Sequence, residues 1–368
     1  MLGGGIAGLA AAIGLRDAGY GVTVFEQAPA IEPLGAAISL WPNAVAALRI
    51  LGAVGPVERE AAPITSMVLA TRNGGALLGP WTVGPPRHGE RAYLPTRALV
   101  QRALAAALGD VPVQLGRRAE QVDDRSDRVR IHLDGEVFEA DLLVAADGIH
   151  SATGTALIGN PPQERGYSGV LALSDPVDAA PLDGVAAEYW GRGERFGVFD
   201  LGQQRRYWFY MTDEPLPAFD REQLLAKARN GWPAAVADAI VATPADRLIP
   251  VTIAARAVPR RLAAGRIICV GDAAHAMEPN LGQGACQALE DAVALGTLAV
   301  RLQPGDVASA FDRARRRRVA GMMRRAQEGG WGAHGPALRQ GVARAALRLT
   351  PAAVQRGMVD GFYRLPAY

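Results

Sequence analysis

The first residues of the chain have the types and the spacing that bind a dinucleotide. Gly3, Gly5 and Gly8 form a G-x-G-x-x-G pattern that opens an alanine-rich helix. In this pattern the first glycine permits a tight turn, the second lets the backbone approach a pyrophosphate, and the third lets helix and strand pack closely. The next strand, 22–26, ends in Glu26, a carboxylate that can accept hydrogen bonds from ribose hydroxyls. Together these features predict a dinucleotide site.

Two later junctions between a strand and a loop place an aspartate beside a glycine. Asp147 and Gly148 follow one apolar run, and Gly271 and Asp272 follow another. An aspartate at such a junction can bind a sugar-alcohol chain. Residues 282–284, Gly-Gln-Gly, then expose backbone N–H groups at the N-terminus of a long helix, a position that stabilises negative charge.

A further candidate stands at the start of another helix. Thr96 suits the N-cap position, and Arg97 follows it in the first turn. A cation is unfavourable there, because the N-terminus of a helix carries partial positive charge. We therefore expect an external anionic or polar partner for Arg97, with a surface salt bridge as the alternative.

Composition excludes several classes of protein. The 368 residues include 39 basic and 37 acidic ones, so the net charge of +2 argues against a nucleic-acid binder. Cys269 and Cys286 cannot form a disulfide framework, and the five histidines lack metal-ligand spacing, so no metal is expected. The sequence contains no apolar run of about 18 residues, so a membrane span is not predicted. The cysteine usage and the lack of a signal-peptide pattern fit a cytoplasmic protein.

The start of the chain departs from the dinucleotide-binding pattern. About five apolar residues should precede Gly3 as the first strand, and only Met1 and Leu2 stand there. We therefore expect the natural start to lie upstream of Met1, or the numbering to begin inside the first strand.

The elements that must position these residues change along the chain. Alternating segments from about 111 to 140 predict an antiparallel meander. Alternation within 206–211 sends Tyr207, Phe209 and Met211 to one face of a strand and the intervening aromatic residues to the other. The remaining predicted elements are strands at 167–175, 185–191, 194–202 and 205–213, helices near 42–51, 220–230 and 233–242, a helix from about 307, and one or two short helices within 333–368.

Taken together, the motifs resemble those of the FAD-dependent aromatic hydroxylases, the single-component flavoprotein monooxygenases with the 4-hydroxybenzoate hydroxylase fold. The resemblance covers nearly the whole chain, and the loop from Gly35 to Asn43 is most similar to the salicylate and urate hydroxylase branch. It implies an α/β fold with a Rossmann-like FAD-binding domain of the glutathione-reductase type, an interleaved β-sheet substrate domain and C-terminal helices. The implied bounds are 1–71, 93–165 and 256–331 for the FAD domain, 72–92 and 166–255 for the substrate domain, and 332–368 for the C-terminal segment.

The resemblance also implies roles for individual residues. Pro279 would lie near the oxygen-reacting edge of the flavin, and Arg195 and Tyr207 are candidates for orienting the substrate, with a surface arginine as the alternative for Arg195. Asp147 is implied in NAD(P)H binding as well, although Thr153 and Gly154 stand where the family usually has an arginine. The residues implied to hold FAD are Gly3, Gly5, Ala7, Gly8, Glu26, Gln27, Ser39, Arg97, Asp147, Gly148, Gly271, Asp272, Gly282, Gln283, Gly284, Ala285 and Cys286.

The implied activity is that of an NAD(P)H-consuming, FAD-dependent monooxygenase. It would use O2 to hydroxylate an aromatic or similarly electron-rich small molecule through a flavin C4a-hydroperoxide. NAD(P)H would be a transient co-substrate on a shared surface, because no second G-x-G-x-x-G unit remains for it. The alternatives are a flavin oxidoreductase with another outcome, such as epoxidation, and a non-catalytic FAD-binding protein. No acid or base in the sequence is compelling for substrate activation, and the chain is expected to be a monomer or homodimer.

Overall fold

The structure is a computed structural model that describes residues 1–31, 36–85, 89–125, 127–214 and 220–368. Its long C-terminal helices, α9 and α10, are joined by only two residues, and Pro304 starts α10 because a helix N-terminus tolerates proline. The α-helices are α1 Ile6–Asp17, α2 Pro42–Ile50, α3 Val54–Glu60, α4 Arg97–Leu108, α5 Ala152–Ile158, α6 Arg221–Arg229, α7 Ala234–Val241, α8 Asp272–His275, α9 Gly284–Arg301, α10 Pro304–Gly329, α11 Ala337–Leu349 and α12 Ala352–Tyr363.

The strands fall into one large sheet and several small ones. In chain order they are β1 Val24–Phe25, β2 Ala62–Ile64, β3 Ser66–Thr71, β4 Ala76–Thr82, β5 Ala92–Leu94, β6 Val113–Gln114, β7 Ala119–Asp124, β8 Val129–Leu133, β9 Glu136–Ala140, β10 Leu143–Ala145, β11 Gln163–Leu173, β12 Val185–Trp190, β13 Glu194–Gly202, β14 Arg205–Thr212, β15 Ile249–Ala255, β16 Ala263–Ala264 and β17 Ile267–Cys269.

Parallel strands near the N-terminus bring the glycine-rich loops together. Leu2 makes parallel bridges to Phe25 and to Ala145, so the start of the chain lies between β1 and β10. Strand β10 pairs in parallel with β17, which leads into the Gly271 loop. Because the carboxyl ends of parallel strands meet at one edge of a sheet, the loops after these strands lie side by side.

Helices α1 and α9 pack unusually closely behind these loops. A Cβ atom added at Gly14 would lie 2.6 Å from the carbonyl oxygen of Ala292, and one added at Gly296 would lie 2.8 Å from the carbonyl oxygen of Gly14. Glycine at both positions therefore allows the two backbones to approach, and the contact fixes the first and last dinucleotide loops relative to each other.

The large sheet has the strand order β15-β11-β14-β13-β12-β3-β4. Its two faces are used differently, as the alternation in 206–211 predicts. Tyr207, Phe209 and Met211 pack into the main core, which contains α1, α2 and α9. Trp208 and Tyr210 lie on the opposite face, in a second core formed with α6 and α7.

Most of the predicted elements are confirmed, including the meander β7-β8-β9, the strands of the large sheet, helices α6 and α7, and two helices after residue 333. Strand β3, Ser66–Thr71, also lies in the large sheet, whereas the predicted FAD domain extends to residue 71. The domain bounds stay a prediction, as does the start upstream of Met1. Gly35 lies outside the described residues. Among the helices that the structure describes, none combines the length and apolar character needed to cross a membrane.

Candidate active site

The first glycine loop is shaped by close backbone contacts. Gly3 has a φ of +98°, and a Cβ atom there would lie 2.4 Å from the carbonyl oxygen of Ala146. A Cβ atom on Gly8 would lie 1.9 Å from the carbonyl oxygen of Gly3. At Gly5, by contrast, a Cβ atom would meet no described atom within 4 Å. Gly3 and Gly8 are therefore required for packing, whereas Gly5 faces open space at the N-terminus of α1.

Glu26 ties this loop to the end of β1. Its carboxylate accepts hydrogen bonds from the backbone N–H of Gly4 at 2.6 Å and of Ala28 at 2.8 Å. A residue that the sequence reasoning missed, Gln101, holds the other side of the loop by donating to the carbonyl oxygen of Gly4. Each carboxylate oxygen of Glu26 keeps a further lone pair for a ligand hydroxyl.

The second loop contains a buried carboxylate whose bonding is incomplete. Oδ1 of Asp147 is buried and has no hydrogen-bond partner among the described residues. Burial raises the pKa of Asp147 above its ordinary value, although a hydrogen bond with Ser151 opposes this shift. Gly148 follows with a φ of +80°, a conformation that glycine adopts readily. A buried, unsatisfied acceptor indicates a site that a ligand completes.

Arg256, which was not singled out from the sequence, joins the second and third loops. It is 1% exposed, and its guanidinium donates to the carbonyl oxygens of Ile149, Ser151 and Asp272. Burial lowers the pKa of Arg256. No sequence motif marks this residue, because most of its partners are backbone carbonyls, and two of them, Ile149 and Ser151, lie more than a hundred positions away in the chain.

The third loop leads into the short helix α8. Asp272 is its first residue, and its side chain is exposed. His275, at the other end, is buried with Nε2 2.6 Å from Oδ2 of Asp291, which also accepts from the N–H of Gly271. His275 therefore supports the loop, while Asp272 is free to face a ligand.

Residues 282–286 turn their backbone and not their side chains outward. The side chain of Gln283 is buried, and its Oε1 accepts hydrogen bonds from Asn43 and Gln287. Sγ of Cys286 lies 3.5 Å from the carbonyl oxygens of Ser39 and Gly282, and burial raises the pKa of this thiol to about 12. Cys286 is therefore an inert, buried residue, which leaves the N–H groups at the start of α9 as the binding surface.

The other predicted FAD residues lie around these loops. Thr96 caps α4 by accepting from the N–H of Leu99 at 3.2 Å, as predicted. Arg97 is exposed and makes no ion pair within the described residues, and its external partner stays a prediction. Among the rest, Ser39, Ala7 and Ala285 are half-buried and Gln27 is exposed.

A buried network of charges lies directly beneath the third loop. Arg315 from α10 donates to Oε2 of Glu290 at 2.6 Å and to Oδ1 of Asp291 at 2.8 Å, and Arg318 also pairs with Glu290. Burial opposes ionisation of both acids, but these arginines and His275 hold the pKa values of Glu290 and Asp291 below their ordinary range.

Arg195 is buried, so its interpretation as a surface arginine is wrong. It is 2% exposed, because its place on β13 puts it on the face of the sheet that meets the main core. The guanidinium donates to Glu188 at 2.8 Å and to Asn280 at 2.6 Å. Burial alone would lower the pKa of Arg195, but attraction to Glu188 raises it, so the group is charged. Its Nε has no hydrogen-bond partner among the described residues.

Aromatic residues surround this cation on the same face of the sheet. The guanidinium carbon of Arg195 lies 5.6 Å from the ring centroid of Phe209. The Phe209 ring can lie across β13 because residue 197 is a glycine. A Cβ atom at this position would lie only 2.1 Å from the ring. Tyr207 is half-buried beside Phe209, with ring centroids 6.1 Å apart. The sheet therefore offers an aromatic surface with one buried guanidinium, which is paired with Glu188 and keeps its Nε free of any partner among the described residues.

The residues on either side of Pro279 are anchored to this surface. The hydroxyl of Tyr167 donates to Glu278 at 3.0 Å, and Asn280 accepts from Arg195 while donating to the carbonyl oxygen of Ala326 at 2.8 Å. Pro279 itself is exposed. The structure therefore brings the predicted residues Pro279 and Arg195 together through Asn280, a contact that the sequence did not reveal.

The geometry of the three loops fits FAD. Gly5 leaves a cradle that a side chain would fill, Asp147 presents an unpaired buried oxygen, and the first turn of α9 has no side-chain cap for its N–H groups among the described residues. These features lie along the joined edge of β1, β10 and β17. Together with the large sheet, they define a flavoprotein whose cofactor loops face an aromatic surface.

Comparison with known proteins identifies the family. The FAD binding domain family matches residues 1–326, and the chain belongs to it. The aurachin C monooxygenase/isomerase of Stigmatella aurantiaca is 35% identical over 316 residues, which cover 80% of this chain and 78% of that protein. The FAD-dependent urate hydroxylase of Klebsiella oxytoca is 36% identical over 310 residues, covering 81% and 80%.

The fold agrees with these relatives. The crystal structure of HpxO from Klebsiella pneumoniae, in complex with FAD and uric acid, superposes with a TM-score of 0.86 at 30% identity, over 98% of this chain and 95% of that one. The protein is thus an FAD-dependent hydroxylating monooxygenase, and the family resemblance, the fold, the cofactor and the class of enzyme predicted from the sequence are confirmed.

Proposed function

We propose that this monooxygenase hydroxylates a small, planar, electron-rich aromatic or heteroaromatic ring that carries negative charge when bound. The observation that carries the proposal is the buried, charged Arg195 on the aromatic face of the sheet, with an unpaired Nε. A buried cation in this position favours an anionic oxygen or nitrogen of the ring. The similarity to urate hydroxylases supports the same substrate class.

The residues assigned to FAD follow from the loop geometry. The N-terminus of α1 at Gly5 would hold the pyrophosphate, and Glu26 the adenosine ribose. Asp272 would bind the ribityl chain, and the N–H groups of 282–286 would face the pyrimidine edge of the ring. When bound, FAD supplies the redox chemistry and the activation of O2.

The chain's own contribution is to orient the substrate and exclude water. Tyr207 and Phe209 would form one wall of the substrate site, and Pro279, whose neighbours Glu278 and Asn280 are anchored to Tyr167 and Arg195, would form another. Arg195 sets the orientation of the ring within this gap. Holding the reacting carbon in one place removes a large part of the entropic barrier to oxygen transfer.

NAD(P)H is proposed to bind transiently on the surface shared with FAD. The position of the arginine that is usual in the family is taken by Thr153 and Gly154, and a Cβ atom on Gly154 would lie 2.1 Å from the carbonyl oxygen of Ala273. Close packing of α5 on α8 therefore requires glycine at 154.

The location and the oligomeric state are further parts of the proposal. The cysteine usage supports a cytoplasmic location, and light scattering after size-exclusion chromatography would distinguish a monomer from a homodimer.

The test is a screen of phenols, salicylates, purines and polycyclic aromatics with the FAD-loaded enzyme. We expect at least one ring to stimulate NAD(P)H oxidation and to gain one oxygen atom, as measured by mass spectrometry. Arg195→Gln should then raise KM about 10- to 100-fold, because a hydrogen bond to a charged group contributes about 1.5–3 kcal/mol. Arg206→Gln is the matched control, since Arg206 is equally buried but bonds to backbone carbonyls at Ala180 and Ala235.

Two results would contradict the proposal. One is an FAD-loaded enzyme that no aromatic compound stimulates. The other is an Arg195→Gln variant whose KM for the best substrate equals that of the wild-type enzyme, while the protein remains folded and loaded with FAD.

A further inference from the structure

A buried histidine and a half-buried aspartate form a pair at the end of the proposed substrate surface. His334, in the loop between α10 and α11, places Nδ1 2.6 Å from Oδ1 of Asp213, which directly follows β14. The other carboxylate oxygen of Asp213 accepts from the N–H of Gly335 at 2.7 Å. Because an ionised carboxylate only accepts, the proton of a neutral His334 ring is on Nδ1, and Nε2 carries a lone pair.

This lone pair is not used within the protein. His334 is 5% exposed, and its Nε2 is buried without a hydrogen-bond partner among the described residues. Buried polar atoms are almost always paired, so an unpaired acceptor beside a proposed substrate site indicates a missing partner. Nε of Arg195 is likewise buried without a hydrogen-bond partner among the described residues.

The pair lies on the same side of the sheet as the residues around Pro279. The ring of His334 stacks on that of Tyr167, with centroids 4.1 Å apart and planes inclined by 14°. The hydroxyl of Tyr167 bonds to Glu278, and Asn280 links this group to Arg195. Nε2 and the buried cation thus belong to one cluster.

The charged and titratable groups around His334 come from several elements. Asp213 follows β14, Arg195 lies on β13, Glu188 on β12 and Tyr167 on β11. From α11, Arg339 reaches only the backbone carbonyl of His334. Burial lowers the pKa of His334, as does Arg195, while Asp213 and Glu188 raise it, and the net direction is downward. The ring is therefore neutral near pH 7 and can accept a proton.

We propose that Nε2 of His334, oriented by Asp213, is the base that removes a proton from an ionisable O–H or N–H group of the substrate ring. The inference rests on the proposed function, and it narrows the substrate class to rings that carry such a proton. One O–H or N–H bond of the substrate breaks and one N–H bond forms on His334. The electron pair stays on the substrate, so no oxidant or reductant takes part.

The two charges produced by this transfer are both matched. The imidazolium would face the carboxylate of Asp213, and the substrate anion would lie beside Nε of Arg195, the guanidinium nitrogen that Glu188 and Asn280 leave unpaired. The anion is also more electron-rich than the neutral ring, which favours attack by an electrophilic oxygen. The base that the sequence did not reveal is therefore supplied by two residues that lie 121 positions apart.

Three variants test the proposal in the FAD-loaded enzyme. His334→Asn keeps a donor for Asp213 but removes the base. Asp213→Asn keeps the size of the side chain but turns the His334 ring into the tautomer with a proton on Nε2. His132→Asn is the matched control, because His132 forms a half-buried pair with Asp123 at 3.4 Å on the meander, away from the site.

With the best substrate of the aromatic screen, both site variants should lose about 100-fold or more in kcat. Wild-type hydroxylation should fall as the pH drops through the pKa of His334. In His334→Asn the rate should instead follow the pKa of the substrate, and a more acidic ring that is already ionised should recover most of the lost rate. If His334 had a purely structural role, His334→Asn would change neither the pH profile of hydroxylation nor the ranking of substrates by rate. Wild-type pH dependence in His334→Asn would overturn the proposal.

A second measurement separates this proposal from the proposed function. If no ring is hydroxylated by the wild-type enzyme, the proposed function has failed, and the state of His334 is then read by NMR of protein labelled with 15N-histidine. A neutral ring with its proton on Nδ1, which changes tautomer in Asp213→Asn, supports the proposal. A ring that is protonated at neutral pH, or that carries its proton on Nε2, overturns it.

Discussion

Two glycines of the first loop should separate cofactor binding from folding. Gly5→Ala adds a methyl group that meets no described atom within 4 Å, and the residue has a φ of −77° that alanine adopts. Replacing glycine restricts the unfolded chain, and this stabilises the folded state by about 0.4–1 kcal/mol. Alanine is a weaker N-cap than glycine, and this destabilises the folded state by a similar amount. The stability of the apoprotein should therefore be nearly unchanged.

The same methyl group should weaken FAD binding. It occupies the space in which the pyrophosphate approaches the N-terminus of α1. We expect Kd for FAD to rise at least tenfold, which corresponds to about 1.4 kcal/mol. Titration of the apoprotein with FAD, followed by quenching of flavin fluorescence, measures this change.

Gly8→Ala should behave in the opposite way. Its Cβ atom would lie 1.9 Å from the carbonyl oxygen of Gly3, so α1 must move away from the loop. Overpacking of this kind costs about 1–3 kcal/mol, and urea unfolding of the apoprotein should show the loss. If Gly5→Ala binds FAD as tightly as the wild type, or if Gly8→Ala is as stable, the assignment of the loop is refuted.

Three further outcomes follow from the buried polar groups. Arg315→Met should cost about 3–5 kcal/mol of unfolding free energy, because it removes the buried cation that pairs with both Glu290 and Asp291. Arg316→Met, which removes an exposed arginine paired with Asp312, should cost at most about 1 kcal/mol. Folding lowers the pKa values of Glu290 and Asp291, so their contribution to stability is complete above their unfolded pKa values of about 4. This contribution is lost as the pH falls through the folded pKa values, and acid unfolding curves of the wild type and Arg315→Met measure the loss. Arg256→Met should release FAD, measured as the flavin-to-protein ratio after gel filtration, and full retention would show that this residue does not fix the two loops.

Local sequence determines much of this fold. The tight turn at Gly3, the cap at Thr96 and the alternation in 206–211 depend on neighbouring residues, and each was predictable for that reason. The identity of the cofactor loops was predictable because backbone approach to a phosphate requires glycine at fixed spacing.

The substrate site was less predictable because its contacts are distant in the chain. Arg195 is buried only because the register of β13 places it beside Asn280, which is 85 positions away. The base His334 acquires its orientation from Asp213, and neither residue stands in a motif. Arg256 is similar, since most of its partners are backbone carbonyls, which leave no mark on the sequence.

The most direct test of the central claim uses isotopically labelled oxygen. FAD-loaded enzyme, NAD(P)H, 18O2 and the best aromatic substrate are mixed, and the product is analysed by mass spectrometry. We predict a product that contains one 18O atom, formed in proportion to the NAD(P)H consumed. A product without the label, or NAD(P)H oxidation that yields only hydrogen peroxide with every ring tested, would contradict the assignment as a hydroxylating monooxygenase.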